Sequence, residues 1–188
     1  MRKLVVTEFI TLDGVIEDPG GAERFEHGGW SFKFQDPEGM RFKLDELMAA
    51  DVQLLGRVTY EGFAKAWPEM RDEGGFAEKM NGMPKLVVSA TLTEATWQNS
   101  EVVHPRDLAQ KVAELKAGGD GDILVAGSAT LVRALAALGL VDEYRLMTFP
   151  IALGSGKQLF GGVETPVALR LVSAKALGSG TQILIYAA

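Results

Sequence analysis

The sequence predicts an α/β fold built on a mainly parallel sheet, and three observations lead to this prediction. Segments with the apolar pattern of strands alternate with segments of helical spacing as far as residue 138. The remainder contains strand patterns only, which favours antiparallel additions at one edge of the sheet. With 188 residues, 47% of them hydrophobic, the chain is large enough for a sizeable core. We therefore expect a single domain over residues 1–188, without internal repeats.

The individual elements follow from local patterns. The first strand, 3–10, is a β-branched run with a single acid, and a Leu-Asp-Gly turn ends it. A loop rich in glycine and aromatic residues follows over 17–37; we interpret it as a surface loop pinned by its aromatics, with a wall or lid over a pocket as the alternative. The patterns then predict, in order, a helix over 37–50, a strand over 51–55, a helix from 57 through 63, a helix over 74–83, a strand over 85–89, a helix over 108–116, a strand over 123–126, a helix over 128–138, and strands over 143–150, 169–175 and 182–186.

Composition and charge narrow the possible classes of function. Nineteen basic and 25 acidic residues give a net charge of −6, and no basic cluster suits nucleic acid. There is no cysteine, which agrees with a reducing cytoplasm. The apolar stretch behind Met1 is too short and too polar for a signal peptide or a membrane span, and the two histidines lack metal-site spacing. We expect a cytoplasmic protein with a small-molecule substrate and no nucleic-acid, membrane or metal partner.

The most informative motif is Leu-Leu-Gly-Arg-Val-Thr-Tyr-Glu over 54–61, at a predicted strand-to-helix junction. Gly56 allows a ligand to approach the backbone, the helix N-terminal amides suit an anion, and Thr59 adds a hydroxyl. The planar guanidinium of Arg57 suits a phosphate such as the 2′-phosphate of NADPH. The ordinary alternative for this pattern is a turn that carries a surface charge.

Two further junctions have a similar character. Residues 125–131 pass from a strand into a helix through small residues, and their amides with the Ser128 and Thr130 hydroxyls suit a pyrophosphate. A strand is also followed by the small polar segment Ser89, Ala90 and Thr91. One interpretation is that it contacts ribose or phosphate oxygens; the alternative is that it caps the strand. Because open α/β sheets bind ligands in a crevice at the carboxyl ends of their strands, the junctions predict a nucleotide crevice.

The order of these motifs resembles the dihydrofolate reductase superfamily, in particular the branch related to the reductase domain of the riboflavin-biosynthesis deaminase/reductase. The similarity runs from residue 3 to residue 186 and also includes Leu-Val-Asp-Glu at 140–143 and Gly-Ser-Gly-Lys-Gln-Leu-Phe at 154–160. It implies a three-layer fold with helices on both faces of a mixed sheet. It also implies hydride transfer from NADPH, as in 5-amino-6-(5-phosphoribosylamino)uracil reductase, to a heterocycle or to a C=N or C=O group.

The resemblance also assigns site residues. NADPH is expected to contact Thr11, Gly56, Arg57, Val58, Thr59, Ser89, Ala90, Thr91, Gly127, Ser128, Ala129, Thr130 and Leu131. The catalytic candidates are Asp13, in the turn where the family's mobile loop begins, and Thr148, near the pteridine site of folate reductases; an Asx-type turn cap is the alternative for Asp13. The substrate contacts are expected to come from Trp30, Phe34, Asp36 and Phe149. The candidates for the proton donor are Asp13, Asp36, Thr148 or a bound water, and the sequence does not choose among them.

The sequence departs from the folate reductases at two points. Their pteridine-binding acid on the first helix falls near Met40 here, so dihydrofolate is not the expected substrate. They have paired glycines where this chain has Gly127-Ser128, so the resemblance does not carry over the unusual backbone of that pair.

Two alternatives to a reductase remain: a non-catalytic NADPH- or ligand-binding protein on the same fold, and an interaction module with an empty crevice. The apolar, strand-rich tail from Tyr144 to Tyr186 suggests a flat surface for a homodimer.

Overall fold

The computed structural model describes residues 1–72, 74–163 and 165–188. Its strands are β1 Leu4–Thr11, β2 Ala50–Gly56, β3 Lys85–Val88, β4 Ser100–Val103, β5 Asp122–Val125, β6 Glu143–Phe149, β7 Arg170–Ala176 and β8 Gln182–Ala187. The α-helices are α1 Pro37–Met48, α2 Arg57–Ala66, α3 Phe76–Gly82, α4 Leu108–Ala117 and α5 Ala129–Ala137, with short 3₁₀ turns at Trp30–Phe34, Trp67–Glu69 and Pro105–Asp107.

The eight strands form one sheet in the order β4-β3-β2-β5-β1-β6-β8-β7. The pairs from β4 through β6 are parallel, and β8 pairs antiparallel with both β6 and β7. This topology confirms the predicted mixed, mostly parallel sheet with antiparallel C-terminal strands. The strand β4 was not predicted from the sequence. Its four residues, Ser-Glu-Val-Val, are a short segment of which only the last is buried, so they carry a weak apolar pattern.

The buried side chains form clusters on both faces of the sheet. One cluster joins the sheet to α4 and α5 through residues such as Val112, Val132 and Leu135. Another joins it to α1, α2 and α3 through Leu47, Tyr60 and Met80. Helices therefore cover both faces, which confirms the predicted three layers.

A network of charged groups fixes α1 over the sheet. The Thr7 hydroxyl donates to Glu46 Oε1 at 2.7 Å and accepts from Lys43 Nζ at 2.5 Å, and Lys43 is also paired with Glu46. Arg145 on β6 reaches α1 through Glu46, whose Oε2 lies 3.8 Å from the guanidinium. The same guanidinium pairs with Glu143 at 2.7 Å and with Asp122 at 2.8 Å. Since removing one partner of a buried pair leaves an uncompensated charge, these contacts specify where α1 sits.

Candidate nucleotide crevice

The predicted cofactor junctions lie on four consecutive strands of the sheet. In the order β3, β2, β5, β1 these strands are mutually parallel, so their carboxyl ends meet at one edge. That edge carries Ser89, Gly56, Gly127 and Thr11 side by side. The structure thus brings together segments that lie far apart in the sequence.

The junctions after β2 and β5 are in direct contact. The Gly56 N–H donates to the Gly127 carbonyl at 3.1 Å. A Cβ atom at Gly56 would lie 2.4 Å from Ser128 Oγ and 2.9 Å from the Ser128 amide nitrogen. Glycine is therefore required at position 56 because the neighbouring junction occupies the place of a side chain.

Gly127 has its own conformational requirement. Its φ is +89° and its peptide bond to Ser128 is cis, so this chain has an unusual backbone here although it lacks the paired glycines of the folate reductases. A Cβ at Gly127 would lie 3.0 Å from Thr59 Oγ1 and 3.5 Å from Glu8 Oε1. A side chain at position 127 would therefore crowd the Thr59 hydroxyl, and this hydroxyl and the Glu8 carboxyl group border the Gly127 backbone.

The helices that follow these junctions offer donors to an anion. Gly56 and Ser128 are the N-cap residues of α2 and α5, and among the described residues no side chain caps either helix. The first-turn amides are therefore free to bind phosphate oxygens, and the helix dipoles favour negative charge there. Arg57, at the start of α2, forms an exposed pair with Glu61 at 2.9 Å, and such a pair is weak enough to rearrange.

The other predicted cofactor residues divide into exposed and buried groups. Val58, Ala90, Thr91 and Thr130 are exposed at this edge, whereas the side chains of Ala129 and Leu131 are buried, Leu131 in the core beneath α5. Ser89 Oγ accepts hydrogen bonds from the amides of Thr91 and Leu92 at 3.1 and 2.9 Å. Ser89 therefore caps the end of β3 here, which was the alternative interpretation.

Glu8 is a buried polar group of this region that none of the sequence motifs predicted. It is 9% exposed, and within the described part of the chain its Oε1 has no hydrogen-bond partner. Burial raises the pKa of Glu8 from 4.5 to about 8, and the nearby Lys43 charge only partly offsets this effect. The signal in the sequence was the single acid within the apolar run of the first strand.

Asp13 and Thr11 form the turn after β1. Thr11 Oγ1 donates to Asp13 Oδ1 at 2.5 Å, and Asp13 Oδ2 accepts from the amides of Leu153 and Gly154 at 3.0 and 2.7 Å. These hydrogen bonds hold the pKa of Asp13 below its ordinary value, the Thr11 hydroxyl contributing most. The geometry favours the turn-cap alternative, because an ionised, fully bonded carboxylate has no proton to give.

The predicted substrate aromatics form one cluster around Phe149. The ring centroids of Phe9 and Trp30 lie 5.1 and 5.2 Å from that of Phe149, and Phe34 lies at 6.1 Å. Trp30 and Phe149 are buried, and the Trp30 indole N–H donates to the Glu17 carbonyl at 2.8 Å. These two residues therefore support the cluster, and the half-buried rings of Phe9 and Phe34 form its accessible edge.

Asp36 and Thr148 lie apart from this accessible edge. Asp36 is the N-cap of α1 and also accepts from the Ser179 amide at 3.1 Å, and these bonds, that from Ser179 first, keep its pKa low. Thr148 pairs in register with Ile10 and shares the sheet face of Glu8, opposite the aromatic cluster. The structure does not bring Thr148 and the aromatics to one face.

Across the residues that the structure describes, no group of three or more His, Cys, Asp or Glu side chains is arranged to hold a metal ion. In the same part of the chain no helix has the length and apolar character needed to cross a membrane.

The sheet order, the three layers and the strand-end crevice define a dihydrofolate-reductase-like α/β protein. The chain matches the RibD C-terminal domain over residues 2–183 and therefore belongs to that family. This match confirms the resemblance seen in the sequence.

Three individual proteins are similar to this chain over most of its length. The protein YyaP of Bacillus subtilis is 30% identical over 188 residues, covering 98% of this chain and 94% of YyaP. A protein from Shewanella sp. PV-4 whose name assigns it to riboflavin biosynthesis superposes with a TM-score of 0.78, at 21% identity and 98% coverage of both chains. The dihydrofolate reductase of Enterococcus faecalis, in complex with NADP(H), gives 0.59 at 14% identity, covering 98% of this chain and 95% of that enzyme. These two structures share the fold.

Proposed function

We propose that this protein is an NADPH-dependent oxidoreductase that transfers hydride to a small heterocycle, or to a C=N or C=O group, other than dihydrofolate. The observation that carries the proposal is the contact between the Gly56 and Gly127 junctions. It places two uncapped helix N-termini beside backbone that has no side chain over it. The family match supports a reductase chemistry of the riboflavin-biosynthesis type.

The residues of the crevice suit the parts of a dinucleotide phosphate. The amides from Gly127 to Thr130 would hold the pyrophosphate. Arg57 would break its ion pair with Glu61, and its guanidinium would then bind the 2′-phosphate. Ser89 would lie near the adenosine ribose. NADPH supplies the hydride when bound, and the protein orients the two reacting rings and excludes water.

The substrate is proposed to bind at the accessible edge of the aromatic cluster. The half-buried rings of Phe9 and Phe34 would stack on a flat heterocycle there. Dihydrofolate remains an unexpected substrate because Met40, in place of the pteridine-binding acid, is exposed, and Asp36 already accepts three amide hydrogen bonds. Thr148 stays a catalytic candidate on the resemblance alone, and because it lies on the opposite sheet face from the aromatic cluster, the proposal assigns it no contact with a substrate stacked there.

We also propose a homodimer, whose contact surface is smaller than the segment from Tyr144 to Tyr186 that the sequence suggested. Tyr144 is fully buried, so β6 does not contribute to that surface. Every residue of β7 is exposed, including Leu171 and Val172 at 52% each, and β7 is the last strand of the sheet. A second copy of the chain that packed on β7 would cover this apolar edge.

The test is a titration with NADPH followed by assays of turnover. Saturable quenching of tryptophan fluorescence and a thermal shift are expected, then NADPH oxidation with a member of a panel of pterins, pyrimidines and quinones. Arg57→Ala should weaken NADPH binding about tenfold, the loss of one charged hydrogen-bonding partner. The matched control is Arg41→Ala, which removes another exposed arginine paired four residues along its helix.

The outcomes separate the alternatives. A protein with no saturable response to NADPH would refute the cofactor assignment. Saturation without oxidation across the panel would favour the non-catalytic ligand-binding protein. Equal effects of the two arginine variants would remove Arg57 from the site.

A further inference from the structure

Glu8 lies beside the Gly127–Ser128 junction, and one oxygen of its carboxyl group has no hydrogen-bond partner among the described residues. Val6 pairs with Val125 across β1 and β5, so Glu8, two residues further, is level with Gly127. A Cβ atom at Gly127 would lie 3.5 Å from Glu8 Oε1 and 3.0 Å from Thr59 Oγ1, so the carboxyl group and the hydroxyl both border the backbone of this junction. Buried polar atoms in proteins are nearly always hydrogen-bonded, and Glu8 Oε1 has no partner in the described residues.

The charged groups around Glu8 come from two neighbouring elements. The charges of Lys43 and Glu46 on α1, and of Glu23 in the loop that precedes α1, all act on Glu8. Lys43 and Glu46 bind the Thr7 hydroxyl, which lies on the other face of β1. Lys43 is already engaged with Thr7 and Glu46, so it does not neutralise a carboxylate at Glu8. With a pKa of about 8, roughly nine in ten molecules carry a neutral Glu8 at pH 7, and a neutral carboxyl group donates a hydrogen bond.

We propose that Glu8, as a protonated carboxyl group, donates a hydrogen bond to an acceptor oxygen of the NADPH bound at the Gly127–Ser128 junction. This inference rests on the proposed function. An ionised Glu8 would face the phosphates of the cofactor across a space with low dielectric constant and would repel them. Binding of NADPH is therefore linked to protonation of Glu8: above pH 8, the complex takes up one proton from solvent.

The experiment is calorimetric titration of the full-length protein with NADPH between pH 7.5 and pH 9.5, above the range in which the 2′-phosphate titrates. Each pH is measured in two buffers of different ionisation enthalpy, which gives the number of protons taken up. For a single group with a pKa of about 8, the wild-type Kd should rise about 25-fold over this range, with about 0.9 protons taken up at pH 9. Glu8→Gln should take up none, and its Kd should change less than threefold.

The matched control is Glu23→Gln, which removes another carboxyl group whose charge acts on Glu8 and whose pKa burial also raises. It should retain the proton uptake and the rise in Kd. Loss of the linkage in Glu23→Gln but not in Glu8→Gln would overturn the assignment to Glu8.

The remaining outcomes distinguish the inference from the proposed function. Wild-type protein that binds NADPH with a constant Kd and no proton uptake overturns the inference and leaves the proposed function standing, even where Glu8→Gln fails to fold. Wild-type protein that does not bind NADPH at pH 7.5 overturns both.

Discussion

Replacing Glu8 by glutamine should change how the stability of the ligand-free protein depends on pH. Folding raises the pKa of Glu8 from 4.5 to about 8, so the unfolded chain releases this proton at lower pH than the folded protein does. A raised carboxyl pKa therefore destabilises the folded state. This loss of folding stability begins as the pH rises through 4.5 and is complete above pH 8. Glutamine has nearly the same shape and no ionisation, so the variant lacks this loss.

The size of the effect follows from the two pKa values. A tenfold difference in proton affinity corresponds to about 1.4 kcal/mol, so the fully developed loss is about 5 kcal/mol. Between pH 5 and pH 7.5 the free energy of unfolding of the wild type should fall by about 3 kcal/mol relative to Glu8→Gln. For a protein of this size, 3 kcal/mol corresponds to a change in Tm of roughly 6–12 °C.

Urea unfolding at intervals between pH 4.5 and pH 9 measures this difference directly, because the two proteins should share the same m value. The other carboxyl groups of the chain contribute equally to both proteins and cancel. Glu94→Gln, at an exposed position, controls for the removal of a carboxyl group from the surface. If the stability curves of wild type and Glu8→Gln run parallel across this range, Glu8 does not titrate as the structure indicates.

Two further predictions concern the crevice and the outer edge of the sheet. Gly127→Ala should lose about 1–2 kcal/mol of stability, because an L side chain is placed at φ +89°, and should weaken NADPH binding at least tenfold. The control is Gly139→Ala, which places an L side chain at φ +64° with open space around the Cβ. This variant should lose stability without losing affinity for NADPH. Equal NADPH affinities in Gly127→Ala and Gly139→Ala would contradict the proposed site. Sedimentation velocity should show that the wild-type protein is a dimer and that Leu171→Lys is a monomer. The control Leu138→Lys, at a similarly exposed position on another surface, should remain a dimer. A monomeric wild type would disprove the dimer.

The order of the strands and helices and the position of the candidate crevice were predictable because they depend on residue patterns within short segments. Apolar periodicity located the predicted strands and helices, and glycine with small polar residues marked the strand-to-helix junctions at Gly56 and Gly127. In a parallel sheet, such junctions necessarily share one edge. The strand β4 escaped prediction because an edge strand that is largely exposed has a weak apolar pattern.

The roles of individual side chains were less predictable because they depend on contacts between distant segments. Asp13 and Asp36 are acids next to the predicted site, yet in the fold their oxygens accept amide hydrogen bonds from Leu153, Gly154 and Ser179, which lie over a hundred residues away. Trp30 likewise became a buried support of the aromatic cluster because the loop folds back onto β6.

By itself, the sequence determined the α/β class, the position of the candidate crevice at one edge of the sheet and the family resemblance, because these follow from residue types at fixed spacings along the chain. Only the tertiary structure decided that Glu8 borders that crevice. A carboxyl group in a strand acquires a raised pKa and an unpartnered oxygen only when neighbouring strands and helices remove its water, and no spacing in the sequence records that burial.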